Sequence, residues 1–203
     1  LLCLYQEKTA KNRYAATGRH YPGIARYVAQ ADYSGAPLDA LAADADLHMI
    51  THRTITATKS RTIGNYWLRP IMPENLIHVS RADADRMGLV DGDRVRVTSA
   101  TNPRGEWDLR NGDERPMIGT VKVTHGIRPG VTSFELGWGH WATGAVDVVV
   151  DGEVIPGDPR RGTGVHANAA MWTDPSLRHT TCLLDPVGGS VSFYDTKVRL
   201  VKS

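Results

Sequence analysis

The sequence predicts a mainly β domain with short helices and long loops, and three observations lead there. Arg94-Val95-Arg96-Val97-Thr98 and Thr120-Val121-Lys122-Val123-Thr124 alternate polar with apolar residues, the period of a half-buried strand. Between Leu76 and Gly130 the chain reads as one closed series of apolar run, short capped helix, glycine turn, strands and a closing Arg128-Pro129-Gly130 turn. The donor-rich loops Thr51 to Leu68, Gly137 to Ala142 and Gly162 to Asn168 begin at apparent strand ends. Such loops on a rigid scaffold are where function concentrates.

Taken in order, residues 1–46 form an irregular arm and linker. "KTAKNRYAATGRHYPG" carries no trustworthy period, and "DYSGAPLD" is rich in turn formers. The barrel-forming part is expected over residues 47–203. Leu47-His48-Met49-Ile50 is its first strand, and Leu76-Ile77-His78-Val79 the next. Ser80 then has the place of a helix N-cap, with Asp83 near the positive helix end. The helix runs to about Met87, stops at Gly88 and is followed by the Asp91-Gly92 turn. Between the two alternating strands, "ATNPRGEWDLRNGDERPM" reads as an extended surface hairpin without a site role. Val131 to Leu136 is a strand, and Val146–Val150 with Glu153–Ile155 is a hairpin turning at Asp151-Gly152. The last strands are expected at Cys182–Leu184 and from about Phe193 to Val201, separated by the turn Asp185 to Gly189.

Composition narrows the function classes. Twenty-four basic against 22 acidic residues leave a formal charge of +2, which gives no argument for nucleic acid. No apolar run approaches the roughly 18 residues of a membrane span, and no signal-peptide progression opens the chain. Leu1-Leu2-Cys3-Leu4-Tyr5 reads as the middle of a polypeptide, so a fragment of a longer protein is expected. Cys3 and Cys182 are the only cysteines. His52, His140, His166 and His179 show no ligand spacing for zinc, so no metal site is expected. There is no Gly-x-Ser-x-Gly elbow and no Walker-type loop. A hydrolase using Cys182 with a His base is the weakest reading, because Cys182 opens an apolar segment where a thiol usually packs.

If one barrel face gathers the three loops, they offer hydroxyls, Arg53, Lys59, Arg61, glycine N–H groups and Asn168. Guanidinium and N–H groups suit a pyrophosphate, and an amide suits a heterocycle edge. The alternative, that these are ordinary solvated loops, stays open on composition alone.

The order of the parts adds a resemblance. Thr51-His52-Arg53 with Ser60 follows the first strand, and Gly88 to Asp93 spells Gly-x-x-Asp-Gly-Asp. Gly164 to Asn168 spells Gly-x-x-x-Asn, and Asp185 to Gly189 spells Asp-Pro-x-x-Gly ahead of the final strand. Together with "ADADRMGLVDGDRVRVTS" and "GTVKVTHGIRPGV", this layout resembles the C-terminal domain of molybdopterin oxidoreductases of the dimethyl sulfoxide reductase family. "HGIRPGVTSFELGWGHWATGA", "GDPRRGTGVHANAAMW" and "DPVGGSVSFYDTKVRLV" are similar to its tetrathionate reductase branch and to relatives acting on sulfur oxyanions and arsenate.

The resemblance implies a double-psi β-barrel that holds molybdopterin guanine dinucleotide, in a bis form whose molybdenum is held by the complete subunit. It implies that Thr51, Arg53, Ser60 and Asn168 contact the cofactor, with His52, Thr54, Arg61, Trp138, His140, Trp141, His166, Phe193 and Tyr194 as further candidates. Iron-sulfur cysteines would belong to upstream domains, and the fragment alone would be inactive. The implied partners are those upstream domains, a membrane anchor subunit, and an iron-sulfur electron-transfer subunit, in a complex on the periplasmic face. A stand-alone barrel binding a nucleotide or a protein partner is the alternative.

Overall fold

The computed structural model describes residues 5–203 apart from 16, 17, 26, 28, 39, 40, 42, 44, 60, 61, 109–111, 141–143, 186–188, 193 and 195. Its centre is a closed six-stranded barrel. Chain order gives α1 (Glu7–Lys11), β1 (Leu47–His52), β2 (Leu76–Ser80), α2 (Arg81–Met87), β3 (Arg94–Ser99), β4 (Glu106–Asp108), β5 (Glu114–Pro116) and β6 (Ile118–Thr124). Then follow β7 (Val131–Glu135), β8 (Val148–Val150), β9 (Glu153–Ile155), a 3-10 turn (Pro159–Gly162), α3 (Ala167–Ala170) and β10 (Lys197–Lys202). Around the barrel the order is β1, β10, β3, β6, β2, β7.

Two pairs are parallel, β1 with β7 and β2 with β6, and the others are antiparallel. A parallel pair needs a crossover connection. Two of them in one small closed sheet make the double-psi barrel that the resemblance implies. Alternation supplies the core: Leu47, Met49, Ile77, Val79, Val95, Val97, Val121, Phe134 and Val198 are all but fully buried, while their strand neighbours are more exposed or polar. Each such side chain contributes about 1.5–3 kcal/mol by leaving water.

The capped helix forms as its sequence dictates. Ser80 Oγ accepts the Asp83 N–H at 3.0 Å and donates to the Asp83 carboxylate at 2.6 Å, and Gly88 ends α2 at φ +65°. Asp83 also accepts the Gly130 N–H at 2.7 Å, which ties α2 to the turn that starts β7. Burial alone would raise this carboxyl. The Ser80 hydroxyl, the Gly130 N–H and the Arg86 guanidinium outweigh it and hold the group below the usual carboxylate range.

By contacts the chain divides into two compact units, Leu1–Ala40 with Asp174–Ser192, and Leu41–Thr173 with Phe193–Ser203. The second unit holds the barrel and both small sheets, β4–β5 and β8–β9. In the first unit the Asp174 carboxylate accepts the backbone N–H groups of Tyr33, Ser176 and Leu177, and residues 174–192 group by contacts with the arm. Cys182–Leu184 is not a strand. Its neighbourhood is a tight reversal, with Asp185 N–H bonded to Ser190 O, Ser192 N–H to Leu183 O, and one isolated bridge from Leu184 to Val191. The final strand starts at Lys197, later than expected; just before it Thr196 accepts the Met49 N–H of β1 on its carbonyl at 2.9 Å and the Trp172 N–H on its Oγ1 at 2.9 Å. Among the described residues no helix is long and apolar enough to cross a membrane.

Candidate functional site

Because β1 and β7 run parallel with His52 opposite Glu135, their C-terminal ends open on one rim. β1 delivers Thr51 and His52 there and passes into Arg53, and β7 passes into Leu136 and Gly137. The segment carrying His166 is brought to the same rim by two devices. Asn75, fully buried, donates Nδ2–H to Glu135 O at 2.8 Å and to Val165 O at 3.0 Å, and its Oδ1 accepts the Val165 N–H at 2.8 Å. Gly139 N–H donates to Thr163 O at 2.9 Å, and a Cβ on Gly139 would lie 2.5 Å from the His166 nitrogen, so only glycine permits this approach. α3 then buries Ala167 and Ala170 and leaves Asn168 exposed.

The result is a cavity of about 500 Å³ lined by Thr51, His52, Arg53, Lys59, Leu136, Gly137, His140, His166, Ala167, Asn168 and Tyr194. That size is ordinary for a small-molecule or cofactor pocket. Eight of the residues singled out from sequence meet here: Thr51, His52, Arg53, Lys59, His140, His166, Asn168 and Tyr194. Asn168 stands on a short helix and not on a loop. Arg53 and Lys59 bring positive charge, Thr51 a hydroxyl, and Asn168 paired donor and acceptor atoms, a set suited to a phosphate-linked heterocycle.

Thr54 and Trp138 do not line this cavity. Glu135 is buried at 1% exposure, and a buried carboxylate must have donors. Thr54 supplies its N–H at 2.9 Å and its hydroxyl, and Trp138 supplies Nε1–H at 2.9 Å. Both side chains are therefore spent on fixing the end of β7. Ser60, Arg61, Trp141 and Phe193 lie outside the described residues. Among the described residues no group of three His, Cys, Asp or Glu side chains is arranged to hold a metal ion.

The support behind two of the lining imidazoles was not foreseen from the sequence. Trp107, on β4 of the charged insertion, stacks on His166 with ring centroids 4.1 Å apart and planes 24° apart, and meets His140 edge-on at 5.9 Å. His140 and His166 are themselves 4.4 Å apart. The available signal was a single aromatic in an otherwise charged hairpin. Burial, and then the neighbouring His140, push the His166 imidazole down to about 4 against a pull upward from the Trp138 backbone, and burial lowers His140 as well. His52 is braced separately, with Nδ1 2.7 Å from Ser133 Oγ and its ring edge-on to His78 at 5.4 Å.

These shifts set a pH dependence. An imidazole whose folded pKa lies below its unfolded value of about 6.5 stabilises the fold above that pH, and the contribution is lost as pH falls toward the folded value. His166 is thus expected to account for up to about 3 kcal/mol of stability lost between pH 6.5 and 4. Denaturant midpoints across that range should fall less steeply in His166→Asn than in the unaltered chain, while His140 and His78, also lowered by burial, leave a residual slope of the same sign in both.

Barrel, rim and donor set define a cofactor-binding domain. The chain belongs to the Molydopterin dinucleotide binding domain family, which it matches over residues 47–181. A selenate reductase subunit of Mesobacillus selenatarsenatis is 40% identical over 198 residues, covering 97% of this chain and 18% of that protein. A tetrathionate reductase subunit of Salmonella typhimurium is 27% identical over 191 residues, covering 93% of this chain and 17% of that one. The chain thus spans less than a fifth of the length of these relatives and is more similar to the selenate reductase than to the tetrathionate reductase toward which its wording leans. In fold it is similar to acetylene hydratase from Pelobacter acetylenicus, with a TM-score of 0.60 at 14% identity over 90% of this chain and 22% of that one. The residues present fit a dinucleotide: two cations and an amide line the cavity, and beside them His166 Nδ1 is buried without a hydrogen-bond partner.

Proposed function

We propose that this chain is the part of a molybdenum reductase catalytic subunit that holds molybdopterin guanine dinucleotide, and that the complete subunit reduces selenate or a related sulfur or arsenic oxyanion. The observation that carries the reading is the convergence of Arg53 and Asn168, 115 positions apart in the sequence, on one cavity at the shared rim of β1 and β7. Arg53 and Lys59 would neutralise the pyrophosphate, Asn168 would pair with a heterocycle edge, and Thr51 would add a hydroxyl donor. Leu136, Ala167 and the Trp107-backed imidazoles would exclude water. When bound, the cofactor supplies two-electron transfer at its metal.

The 40% identity to a selenate reductase supports selenate ahead of tetrathionate. Upstream domains, an iron-sulfur electron-transfer subunit, a membrane anchor and a periplasmic location accompany this reading as proposals of the same kind. The test is to purify the complete subunit, measure guanine nucleotide and molybdenum released on denaturation, and assay selenate, tetrathionate and arsenate against a reduced viologen dye. Co-release of both with turnover of selenate is expected. Failure to release any guanine nucleotide would overturn the cofactor reading, and turnover of tetrathionate alone would overturn the choice of substrate.

A further inference from the structure

We propose that the β4–β5 hairpin is a positioning element of the cofactor site, with Trp107 and Asn102 holding His166 and Asn168 in place for the heterocycle. The inference rests on the cofactor reading and concerns residues that the family resemblance does not assign. Three observations carry it. Trp107 covers one face of His166 by stacking and the edge of His140, and both imidazoles line the cavity. Asn102, at the base of the hairpin, donates Nδ2–H to Glu106 O and to Ala169 O, each at 2.8 Å, so one amide joins the strand carrying Trp107 to the helix carrying Asn168. Thr101 Oγ1 donates to Met171 O at 3.4 Å and accepts the Thr173 N–H at 3.2 Å, which extends the strap along the chain that leaves α3.

The hairpin is itself stiffened. Arg104 bridges Glu106 and Glu114, and Arg96 Nη1 donates to Arg104 O at 3.1 Å and to Gly105 O at 3.2 Å. A helix of four residues has little rigidity of its own, since a single turn is costly to nucleate. Asn168 therefore owes its place to what α3 is tied to, and the hairpin is the tie on one side. The chemistry served is the 2-amino-4-oxopyrimidine edge that guanine and pterin share, joined to a pyrophosphate.

The two sources of that edge are separated by two probes, guanosine diphosphate and 6-hydroxymethylpterin diphosphate, titrated calorimetrically into the 203-residue chain. At least one probe is expected to bind, with Asn168→Ala weakening it. Trp107→Ala should weaken the same probe about tenfold, Trp107→Phe should restore most of the loss, and probe-induced shifts of the His166 ring signals in NMR should vanish in Trp107→Ala and return in Trp107→Phe. If neither probe binds the unaltered chain, the cofactor reading itself fails. If Asn168→Ala weakens binding while Trp107→Ala does not, or if Phe gives no rescue, the reading stands and this inference falls. Should Trp107→Ala not fold, Asn102→Ala keeps the ring stack and removes only the strap; unchanged affinity there would overturn the proposal.

Discussion

Asn168→Ala and Arg53→Ala, each in the complete subunit, are expected to lower the affinity for the cofactor by about tenfold to a hundredfold. A charge-assisted hydrogen bond of the kind Arg53 offers contributes roughly 1.5–3 kcal/mol, a buried polar group left unpaired by loss of the neutral Asn168 amide costs about 1–3 kcal/mol, and each 1.4 kcal/mol is about a tenfold change in affinity. The two losses should differ in character. On the proposed reading, removing Arg53 takes away charge that would face the pyrophosphate, so the unaltered subunit should lose affinity with added salt more steeply than the variant. Asn168→Ala removes a neutral amide that pairs with a heterocycle edge, and its effect should not depend on salt. Cofactor retained through gel filtration at two ionic strengths, measured as molybdenum and guanine nucleotide per polypeptide, checks both. Thr54→Val is the control: its side chain serves Glu135 and not the cavity, so it should lower stability and leave affinity within about twofold. Full retention in both test variants would mean that the cavity is not where the cofactor is held.

Asn75→Ala should be the most destabilising single change around the site. The side chain is wholly buried and satisfies three backbone groups, Glu135 O, Val165 O and Val165 N–H, with Glu135 and Val165 themselves 1% exposed. Alanine leaves these groups without partners in a closed environment, at roughly 1–3 kcal/mol each before relaxation, so a loss of about 3 kcal/mol or more is expected. Because the bonds join the end of β7 to the segment leading into His166 and Asn168, ligand affinity should fall together with the denaturation midpoint. Asn75→Asp tests the geometry: it preserves the acceptor for Val165 N–H but loses both donors, and should be nearly as damaging. A midpoint within experimental scatter of the unaltered chain would remove Asn75 from the account of how the site is assembled.

The strands and the capped helix were legible because they are local physics. Alternation at Arg94–Thr98 and Thr120–Thr124, the Ser80 cap and the Gly88 stop each follow from a few consecutive residues, and each stands within a residue or two of its expected place. The order of short motifs singles out Thr51, Arg53 and Asn168, and these three line one cavity. Three things were not legible. The resemblance names Thr54 and Trp138 as candidates at the cofactor, yet nothing local reveals that β7 ends in a buried Glu135 with which both side chains bond. Trp107 was lost in a hairpin read as solvated, since a 4.1 Å stack across 59 positions leaves no periodic trace. The segment at Cys182 has apolar residues enough for a strand, but Leu183 and Asp185 bond to Ser192 and Ser190 a few residues on, and pairing partners are not written in composition.

The position of β10 between β1 and β3 bears on how the protein is made. On a ribosome, residues 47–52 and 94–99 emerge well before 197–202, so until that last stretch appears both strands present open edges to each other and to neighbouring nascent chains. Closure of the barrel waits for a stretch nearly 150 positions behind the first strand, so the slowest contact to form is also the one that removes both exposed edges.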